Sequence, residues 1–453
     1  MKRETNRRSF VKLAATAGLC TLASPAVLAG SHPEQLAENE ETNKIPKKSW
    51  YPLGVFKNPV LESVFLFYVG STWQRLSDVG ECFDTASRID EANDYSWSDQ
   101  WIKTGNRLKV LGDACLKEHH EFTAGESYLR SSTYYRAALH HYPDPANKIV
   151  KELSLKVVKN YKMALKLMSI PFEAVSIPYM KTELPGYFFP AKLKSNKKAP
   201  VIILHAGRDS WAEDYLWVAQ QAVKRGYHCL LFDGPGQGKV IRIQGIPFRP
   251  DWENVITPVL DFLKHTKKEV DMNKTVLMGF SMGGFLAPRA VTVEKRIKLC
   301  VANPGVLNWT ASIYNGLNQI DPQLLPLFQA GNYDLFDQKI EEYMRTSSYV
   351  KWGITDELWK YGVHKPSELI KKYQEYNIEA VAKNIGCRMM VIDGTGEEFS
   401  VGEAKRLYDA LTCPKDYVLF TEEDTGYLHC QPGALAIAYT RIFNWVDKYI
   451  DVI

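Results

Sequence analysis

The chain has 453 residues, of which 45% are hydrophobic and 24% are charged, with a formal net charge of +4. These values are ordinary for a globular protein, and the length suffices for one large core plus a second helical region. A charge this small gives no indication of a nucleic-acid or anionic-membrane partner.

Residues 1–29 have the organisation of an export signal. The sequence NRRSFVK at residues 6–12 resembles a twin-arginine motif, and a mildly apolar stretch follows it, ending in a small-residue cleavage site before Gly30. That stretch is too short and too rich in Ala, Gly and Thr for a membrane span, and Ser31 stands where a lipoprotein needs cysteine. We therefore expect a periplasmic or secreted protein, near neutral after cleavage and without stable membrane insertion.

The cysteines do not form a recognisable redox or zinc motif. Cys20 lies in the export signal, which leaves an odd number of the eight cysteines and therefore at least one free thiol. Cys82 and Cys115 are a candidate disulfide pair. Because twin-arginine cargo folds before export, mostly free and buried thiols are the main expectation. No CxxC pair occurs, so neither a zinc site nor a redox motif is predicted.

A polar linker is predicted over residues 30–60 and an N-terminal helical cap over residues 61–170. The cap segment has few prolines or glycines and carries aromatic residues at helical spacing. Packing between helices is the simpler role of these aromatics, and lining an apolar substrate pocket is the functional one. The histidine pairs at 119–120 and 140–141 are poor metal ligands, because adjacent helical residues point in different directions. We expect these histidines at the surface or in cap packing.

Residues 171–453 are predicted to form an α/β catalytic domain. Two strand-like segments open it, and strands then alternate with helices, which favours a mainly parallel sheet. A long insertion over residues 307–384, between the fourth and fifth of the alternating strands, is predicted to be a helical lid. The alternating strands are predicted at residues 201–204, 229–232, 275–279, 299–302, 389–392 and 417–420.

The sequence GFSMG at residues 279–283 follows an apolar run and has the pattern of a nucleophile elbow. In such an elbow Ser281 occupies a tight turn, and the glycines on either side let strand and helix pass closely. The N-terminus of the following helix favours negative charge. GxSxG also occurs by chance around ordinary serines. Here an acid and a histidine follow in the expected order, which supports the elbow.

A serine nucleophile needs a neighbouring base, and the base is oriented by an acid. In α/β-hydrolases the acid follows the nucleophile along the chain and the histidine comes last. His429 is the last histidine and follows the last predicted strand, so it is the predicted base. The acid usually lies three residues after the glycine that ends the preceding strand, which selects Glu397. Asp393 and Glu398 are the alternatives.

The oxyanion hole is predicted to use the backbone N–H of Met282 and a second N–H from the loop after Leu204. In that loop Arg208 or Gly207 is the donor, and such donors typically contribute about 3–4 kcal/mol each to the transition state. The Arg208 side chain is expected either beside the substrate or in solvent. The glycine-rich stretch at 232–238 lacks the spacing of a phosphate-binding loop, so no nucleotide is predicted.

Several stretches together resemble one group of α/β-hydrolases with an N-terminal helical cap. The group includes 2,6-dihydroxypseudooxynicotine hydrolase and the fungal polyketide chain-shortening hydrolases of pigment synthesis. The stretches are residues 232–238, 248–253, the elbow with 287–290, 303–305 and 420–430. Members hydrolyse a carbon–carbon bond next to a ketone, without metal or organic cofactor, using Ser, Asp and His. The resemblance implies these roles for Ser281, Glu397 and His429, with glutamate instead of aspartate, and it implies a homodimer.

The sequence therefore predicts an exported serine hydrolase that cleaves a carbon–carbon bond in a small apolar or aromatic substrate, such as a β-diketone or a polyketide-like compound. A carboxylesterase acting on apolar esters uses the same machinery and stays open as an alternative. A non-catalytic binding protein on the same fold is a third, and the intact Ser, acid and His argue against it.

Overall fold

The computed structural model describes residues 49–192 and 197–451. The export signal predicted over residues 1–29 lies outside this part of the chain, as does most of the linker predicted over 30–60. Among the described helices, none has the length and apolar character needed to cross a membrane.

Five α-helices precede the sheet in the described part of the chain. They are α1 (Pro59–Gly70), α2 (Val79–Ala86), α3 (Ser96–Lys117), α4 (Glu121–His140) and α5 (Lys148–Leu167). Side-chain caps begin three of them, because Asn58, Asp78 and Asn147 accept backbone N–H groups of the first turn. The predicted aromatic positions pack between these helices, where Trp97, Trp101, Tyr134 and Tyr135 are buried.

One eight-stranded sheet follows these helices. Its strands are β1 (Glu173–Tyr179), β2 (Thr182–Phe189), β3 (Ala199–His205), β4 (His228–Phe232), β5 (Val270–Phe280), β6 (Leu299–Asn303), β7 (Arg388–Gly394) and β8 (Lys415–Phe420). The spatial order is β1-β2-β4-β3-β5-β6-β7-β8. β2 runs antiparallel to β1 and β4, and the remaining neighbours are parallel. The predicted α/β fold with a mainly parallel sheet is confirmed.

Helices connect the strands, and a group of them forms the insertion between β6 and β7. The connecting helices are α6 (Leu216–Lys224), α7 (Glu253–Thr266), α8 (Gly283–Val291) and α14 (Glu403–Ala410), and α15 (Leu435–Tyr449) follows β8. The insertion contains α9 (Thr310–Ile320), α10 (Leu324–Gln329), α11 (Tyr333–Thr346), α12 (Ser348–Tyr361) and α13 (Pro366–Gln374).

The central strands are buried along their whole length and are mainly apolar, because both sheet faces are covered. Every residue of β3, β4 and β6 is buried. Alternate residues of β3 enter different cores: Val201 and Ile203 pack into one, and Ile202 and Leu204 into the other. Parallel strands end at a common edge of the sheet, so the loops after β3, β5, β6, β7 and β8 meet there.

The cysteines in the described part of the chain are all free thiols. Cys82 is buried and Cys115 is partly buried, and neither is bridged to the other. This agrees with the main expectation of free thiols rather than with the candidate disulfide pair.

Candidate active site

The turn after β5 holds Ser281 in a left-handed backbone conformation, with φ of 57°. The backbone N–H of Ser281 donates to the carbonyl oxygen of Asn303 at 2.7 Å. Helix α8 then begins so close to its neighbours that a Cβ at Gly284 would lie 1.7 Å from the carbonyl oxygen of Pro304. A Cβ at Gly279 would lie 2.0 Å from the first backbone carbonyl of that helix. The glycines are therefore required for the strand and helix to pass.

A continuous hydrogen-bond chain joins three side chains from three loops. The Oγ of Ser281 lies 2.9 Å from Nε2 of His429. Nδ1 of His429 lies 2.8 and 3.0 Å from the two carboxylate oxygens of Glu397. Glu397 also accepts the backbone N–H groups of Phe399 and Ser400, each at 2.9 Å. These bonds orient the carboxylate toward the imidazole.

The two alternative acids lie elsewhere. Asp393 accepts the hydroxyl of Tyr417 at 2.6 Å and is thereby turned toward β8. Glu398 lines the cavity next to the site, and no hydrogen bond joins it to His429 in the described part of the chain. The structure thus brings Glu397 to the imidazole and neither of the other two carboxylates.

The loop that carries His429 is fastened to the end of β6. Cys430 and Gln431 have φ of 57° and 55°. The side-chain amides of Gln431 and Asn303 exchange two hydrogen bonds, at 2.7 and 3.2 Å, and both residues are buried. Sγ of Cys430 accepts the backbone N–H of Ser281 at 3.1 Å. The histidine and the serine are therefore positioned by contacts to the same strand end.

The ionisation of the imidazole is tuned by its neighbours. Burial by itself lowers the pKa of His429, but the sulfur of Cys430 and the carboxylate of Glu397 act in the opposite direction and raise it well above its ordinary value. Burial by itself raises the pKa of Glu397, and the interaction with His429 outweighs it and holds that pKa below its ordinary value. The His429 imidazole thus faces an ionised partner, which stabilises its protonated form.

The loop after β3 runs directly against the elbow. A Cβ on Gly207 would lie 2.6 Å from the carbonyl oxygen of Phe280 and 2.7 Å from the backbone nitrogen of Met282. Met282 is the residue that precedes helix α8, so its N–H belongs to the helix N-terminus. In the described part of the chain no acceptor is bonded to the backbone N–H of Met282 or Arg208. Both predicted donors are therefore free to bind an oxyanion.

The Arg208 side chain lies in the cavity wall and not in solvent, with 11% of its surface exposed. Its guanidinium forms an ion pair with Glu357 of α12 and another with Asp209 at 3.1 Å. Lys360, also on α12, bonds Asp209 and Asp356, each at 2.7 Å. Burial alone raises the pKa of Asp209, but Arg208 and Lys360 outweigh it and hold that pKa well below its ordinary value. These ion pairs connect helix α12 of the insertion to the loop after β3.

A cavity of about 180 Å³ lies over Ser281 and His429, between the N-terminal helices, the insertion and the catalytic loops. Much of its wall is apolar: Val60, Val64, Phe67, Trp352, Leu428 and Leu435. The lining also contains polar side chains, among them His140, Arg208, Asp209, Ser312, Glu357 and Glu398. The cavity therefore suits a mainly apolar molecule that carries polar groups.

The N-terminal segment before α1 also contributes to the site, although residues up to 60 were predicted as a linker. Tyr51 lines the cavity. Trp50 packs edge-on against Tyr427, with ring centroids 6.0 Å apart, and Ser49 Oγ lies 2.5 Å from the Tyr427 hydroxyl. Since Tyr427 lies two residues before His429, this N-terminal segment supports the loop that carries His429. Nothing in the local sequence signals this contact.

The two histidines that end helix α4 have different surroundings. His141 is buried and packs on Trp352, with ring centroids 3.9 Å apart, which agrees with cap packing. His140 lines the cavity, a position that sequence reasoning missed. The position of His140 follows only from the packing of α4 against the loop after β3. Among the described residues, no group of three or more His, Cys, Asp or Glu side chains could hold a metal ion.

Comparison with known proteins agrees with this architecture. The alpha/beta hydrolase family matches residues 201–436, which is more than half of the chain. The chain belongs to the alpha/beta hydrolase family. The predicted enzyme class, an α/β-hydrolase, is thereby confirmed.

Relatives of this α/β-hydrolase extend the likeness beyond the catalytic domain. The hydrolyase poxO of Penicillium oxalicum is 28% identical over 422 residues, which cover 88% of this chain and 99% of the relative. The 20-hydroxy-prefusarin hydrolase FUS2 of Gibberella moniliformis is 27% identical over 420 residues, which cover 87% of this chain and 97% of the relative. Coverage this large includes the N-terminal helices.

A solved structure shows the same fold. The crystal structure of 2,6-dihydroxy-pseudo-oxynicotine hydrolase superposes with a TM-score of 0.65 at 17% identity, covering 84% of this chain and 95% of the other. The resemblance to hydrolases with an N-terminal helical cap is confirmed.

Proposed function

We propose that this α/β-hydrolase is a serine hydrolase in which Ser281 is the nucleophile, His429 the base and Glu397 the acid that orients it. The hydrogen-bond chain of 2.9 Å and 2.8 Å through these three side chains carries the proposal. It has the order and the geometry that activation of a serine requires.

In the first half-reaction Ser281 Oγ attacks a substrate carbonyl carbon and His429 Nε2 takes the hydroxyl proton. The resulting tetrahedral oxyanion is held by the backbone N–H of Met282 and by that of Arg208, with Gly207 as the alternative second donor. Loss of one such donor typically lowers kcat by about 100- to 1000-fold. The contact of the Gly207 loop with Met282 supports placing both donors in one hole.

Collapse of the tetrahedral adduct breaks the bond to the leaving group. His429 returns its proton to that group, and the acyl fragment stays on Ser281 as an ester. A water molecule, deprotonated by His429, then attacks this ester and releases the acid. The carboxylate of Glu397 beside Nδ1 stabilises the imidazolium that forms in each half-reaction.

The bond that we propose is a carbon–carbon bond next to a ketone, in a small apolar or aromatic substrate. The apolar wall of the cavity supports the substrate class. One relative is named for hydrolysis of 20-hydroxy-prefusarin, a specific organic compound. Since the same residues serve ester hydrolysis, a carboxylesterase is the outcome to be distinguished by experiment.

We further propose that the chain is exported through the twin-arginine route. The support is the sequence at residues 6–12, followed by the apolar stretch and the cleavage site. Replacement of both Arg7 and Arg8 by lysine should leave the protein in the cytoplasm of an expressing bacterium, where the wild type reaches the periplasm. Equal periplasmic amounts of both would contradict the proposal. The homodimer implied by the resemblance stays a prediction, which light scattering tests.

The decisive experiment is hydrolysis of benzoylacetone and of ethyl benzoate by the purified mature protein and by Ser281→Ala. Ser87→Ala, at an exposed serine outside the cavity, is the control. We expect cleavage of benzoylacetone well above the ester, loss of it in Ser281→Ala, and full activity in the control. Cleavage of the ester alone would make the protein a carboxylesterase. Failure of a fluorophosphonate probe to label Ser281 would indicate a non-catalytic binding protein.

A further inference from the structure

His140 is a cavity-lining side chain that the serine mechanism does not use. It ends helix α4 and is held edge-on to the ring of Phe67, with ring centroids 6.3 Å apart. Its Nδ1 lies 3.1 Å from the hydroxyl of Tyr68. In the described part of the chain no protein partner is bonded to its other ring nitrogen, Nε2.

The hydrogen bonds around Tyr68 determine which ring nitrogen of His140 carries the proton. Nη1 of Arg136 lies 3.3 Å from the Tyr68 hydroxyl, and a guanidinium can only donate. The tyrosine oxygen is therefore an acceptor toward Arg136. Tyr68 is fully buried, and among the described residues its proton has no other acceptor than Nδ1 of His140. Tyr68 thus donates to Nδ1, which leaves the imidazole proton on Nε2.

Both partners of this hydrogen bond are neutral. Burial lowers the pKa of His140 well below its ordinary value, and the charge of Arg136 lowers it further. Burial raises the pKa of Tyr68 above its ordinary value. At neutral pH the cavity therefore contains an uncharged imidazole with one N–H donor.

Arg136 also ties this donor to the catalytic loop. Its guanidinium donates to the backbone carbonyl of Asp209 and pairs with Asp214 at 3.3 Å. Asp209 lies two residues after Gly207, which packs directly against Ser281. The position of His140 is thus coupled through Tyr68 and Arg136 to the loop beside the nucleophile.

The charged side chains on the same wall are paired with one another. Arg208 is bonded to Glu357 and Asp209, and Asp209 is bonded also to Lys360. Glu357 accepts the hydroxyl of Tyr373 at 2.7 Å as well. His140 Nε2–H is therefore an uncharged donor of this wall that has no bonded partner among the described residues and is available to a bound molecule.

We propose that His140 Nε2–H donates a hydrogen bond to a second carbonyl oxygen of the substrate, on the leaving side of the scissile carbon–carbon bond. This rests on the proposed function and names the substrate class more closely, as a neutral compound with two carbonyl groups separated by one carbon. His140 would then be a further catalytic residue, and Tyr68 and Arg136 its positioning residues.

His140 keeps its Nε2 proton throughout the proposed reaction. When the tetrahedral adduct collapses, the electron pair of the carbon–carbon bond moves into the leaving fragment and becomes an enolate. The negative charge develops on the second oxygen, where the Nε2–H bond strengthens. His429 then delivers to the enolate carbon the proton that it took from Ser281. A simple ester has no second carbonyl at this place, so His140 should not assist its cleavage.

The test compares His140→Phe with His140→Gln on benzoylacetone and ethyl benzoate. Phenylalanine removes the donor, and glutamine can present an amide N–H close to the position of Nε2. We expect His140→Phe to lower kcat for benzoylacetone by about 100-fold while ester hydrolysis changes less than about threefold, the former being the typical loss of one oxyanion donor. His140→Gln should recover most of the diketone activity. Equal loss on both substrates, or no loss on either, would overturn the role of His140.

Two further measurements separate this proposal from the proposed function. ¹⁵N NMR of labelled histidine should show the proton of His140 on Nε2, and a proton on Nδ1 would overturn the proposal. In the Ser281→Ala background, calorimetry should show weaker binding of benzoylacetone after His140→Phe and unchanged binding of ethyl benzoate. If the wild type cleaves the ester alone, the carbon–carbon activity fails, and this binding difference still decides whether His140 holds the second oxygen.

Discussion

Asn303 and Gln431, 128 residues apart in the chain, hold each other through both of their side-chain amides at 2.7 and 3.2 Å. Asn303 ends the strand next to the elbow, and Gln431 lies two residues after His429. The backbone carbonyl of Asn303 accepts the N–H of Ser281 at 2.7 Å. Asn303 therefore positions Ser281, the proposed nucleophile, and through Gln431 it positions His429, the proposed base.

Replacement of one member of this pair should cost more than replacement of both. Gln431→Leu leaves the buried amide of Asn303 unpaired, so we expect a loss of about 1–3 kcal/mol in the free energy of unfolding. Asn303→Leu should behave alike, and the double variant, in which neither amide is left unpaired, should lose less than either single variant. Denaturant unfolding of the four proteins measures the coupling. Strict additivity would show that the two amides do not depend on each other.

Glu397→Gln should change both the rate and its pH dependence. Proton transfer from Ser281 requires neutral His429, so a raised pKa of His429 places the acidic limb of kcat/KM above the pH expected for an ordinary histidine. Loss of the carboxylate lowers that pKa, and the limb should move to lower pH. The maximal rate should fall by about 10000-fold, as for replacement of a triad aspartate by its amide.

Asp393→Asn is the matched control for this profile, because Asp393 bonds Tyr417 and not the imidazole. Its acidic limb should coincide with that of the wild type. A shift in Asp393→Asn together with an unchanged limb in Glu397→Gln would transfer the role of the acid from Glu397 to Asp393.

Gly207→Ala should impair catalysis without touching the three catalytic side chains. The added Cβ would meet the backbone of the elbow at 2.6 to 2.7 Å, so the loop or the elbow must shift. Misplacement of this size can lower the rate by about 100-fold. Steady-state kinetics on the best substrate measures it. Gly386→Ala is the control, since a Cβ there meets no atom within 4 Å, and a comparable loss in that variant would exclude the steric cause.

Lys360→Met should destabilise the fold, because it leaves the buried Asp356 without an ion-pair partner among the described residues and leaves Asp209 with Arg208 alone. Breaking a buried ion pair in this way costs about 3–5 kcal/mol. Lys405→Met removes one partner of an exposed pair with Asp409 and should change the free energy of unfolding by less than about 1 kcal/mol. Chemical denaturation of both variants makes the comparison. Similar values for the two would mean that the Lys360 cluster is open to water.

The elements that sequence analysis located correctly are those whose signal is local. The all-buried strands appear as continuous apolar runs, as in Val201–Leu204, and their alternation with helical segments predicted a parallel sheet. Ser281 lies in a turn whose glycines are only two residues away from it on either side in the sequence. The spacing after β7 selected Glu397, and the geometry places that residue on His429.

The parts that sequence analysis missed depend on contacts between distant segments. His140 enters the cavity because α4 packs against the loop after β3, and Tyr51 does so because its segment packs on Tyr427. The ion pair of Arg208 with Glu357 joins the loop after β3 to the insertion. Nothing in the neighbourhood of these residues along the chain distinguishes them from surface or linker residues, so no local pattern could have indicated their roles.

The cavity is built from two stretches of the gene of which only one carries the family likeness. Ser281, Glu397 and His429 all lie within residues 201–436, where that likeness is recognised, whereas Tyr51, Phe67 and His140 precede it. After a gene duplication, substitutions in the first 140 codons can therefore change part of the cavity wall while Ser281, Glu397 and His429 stay the same. Relatives that are alike in the matched segment can differ in substrate for this reason, and a sequence comparison for that purpose should include the helices that come before it.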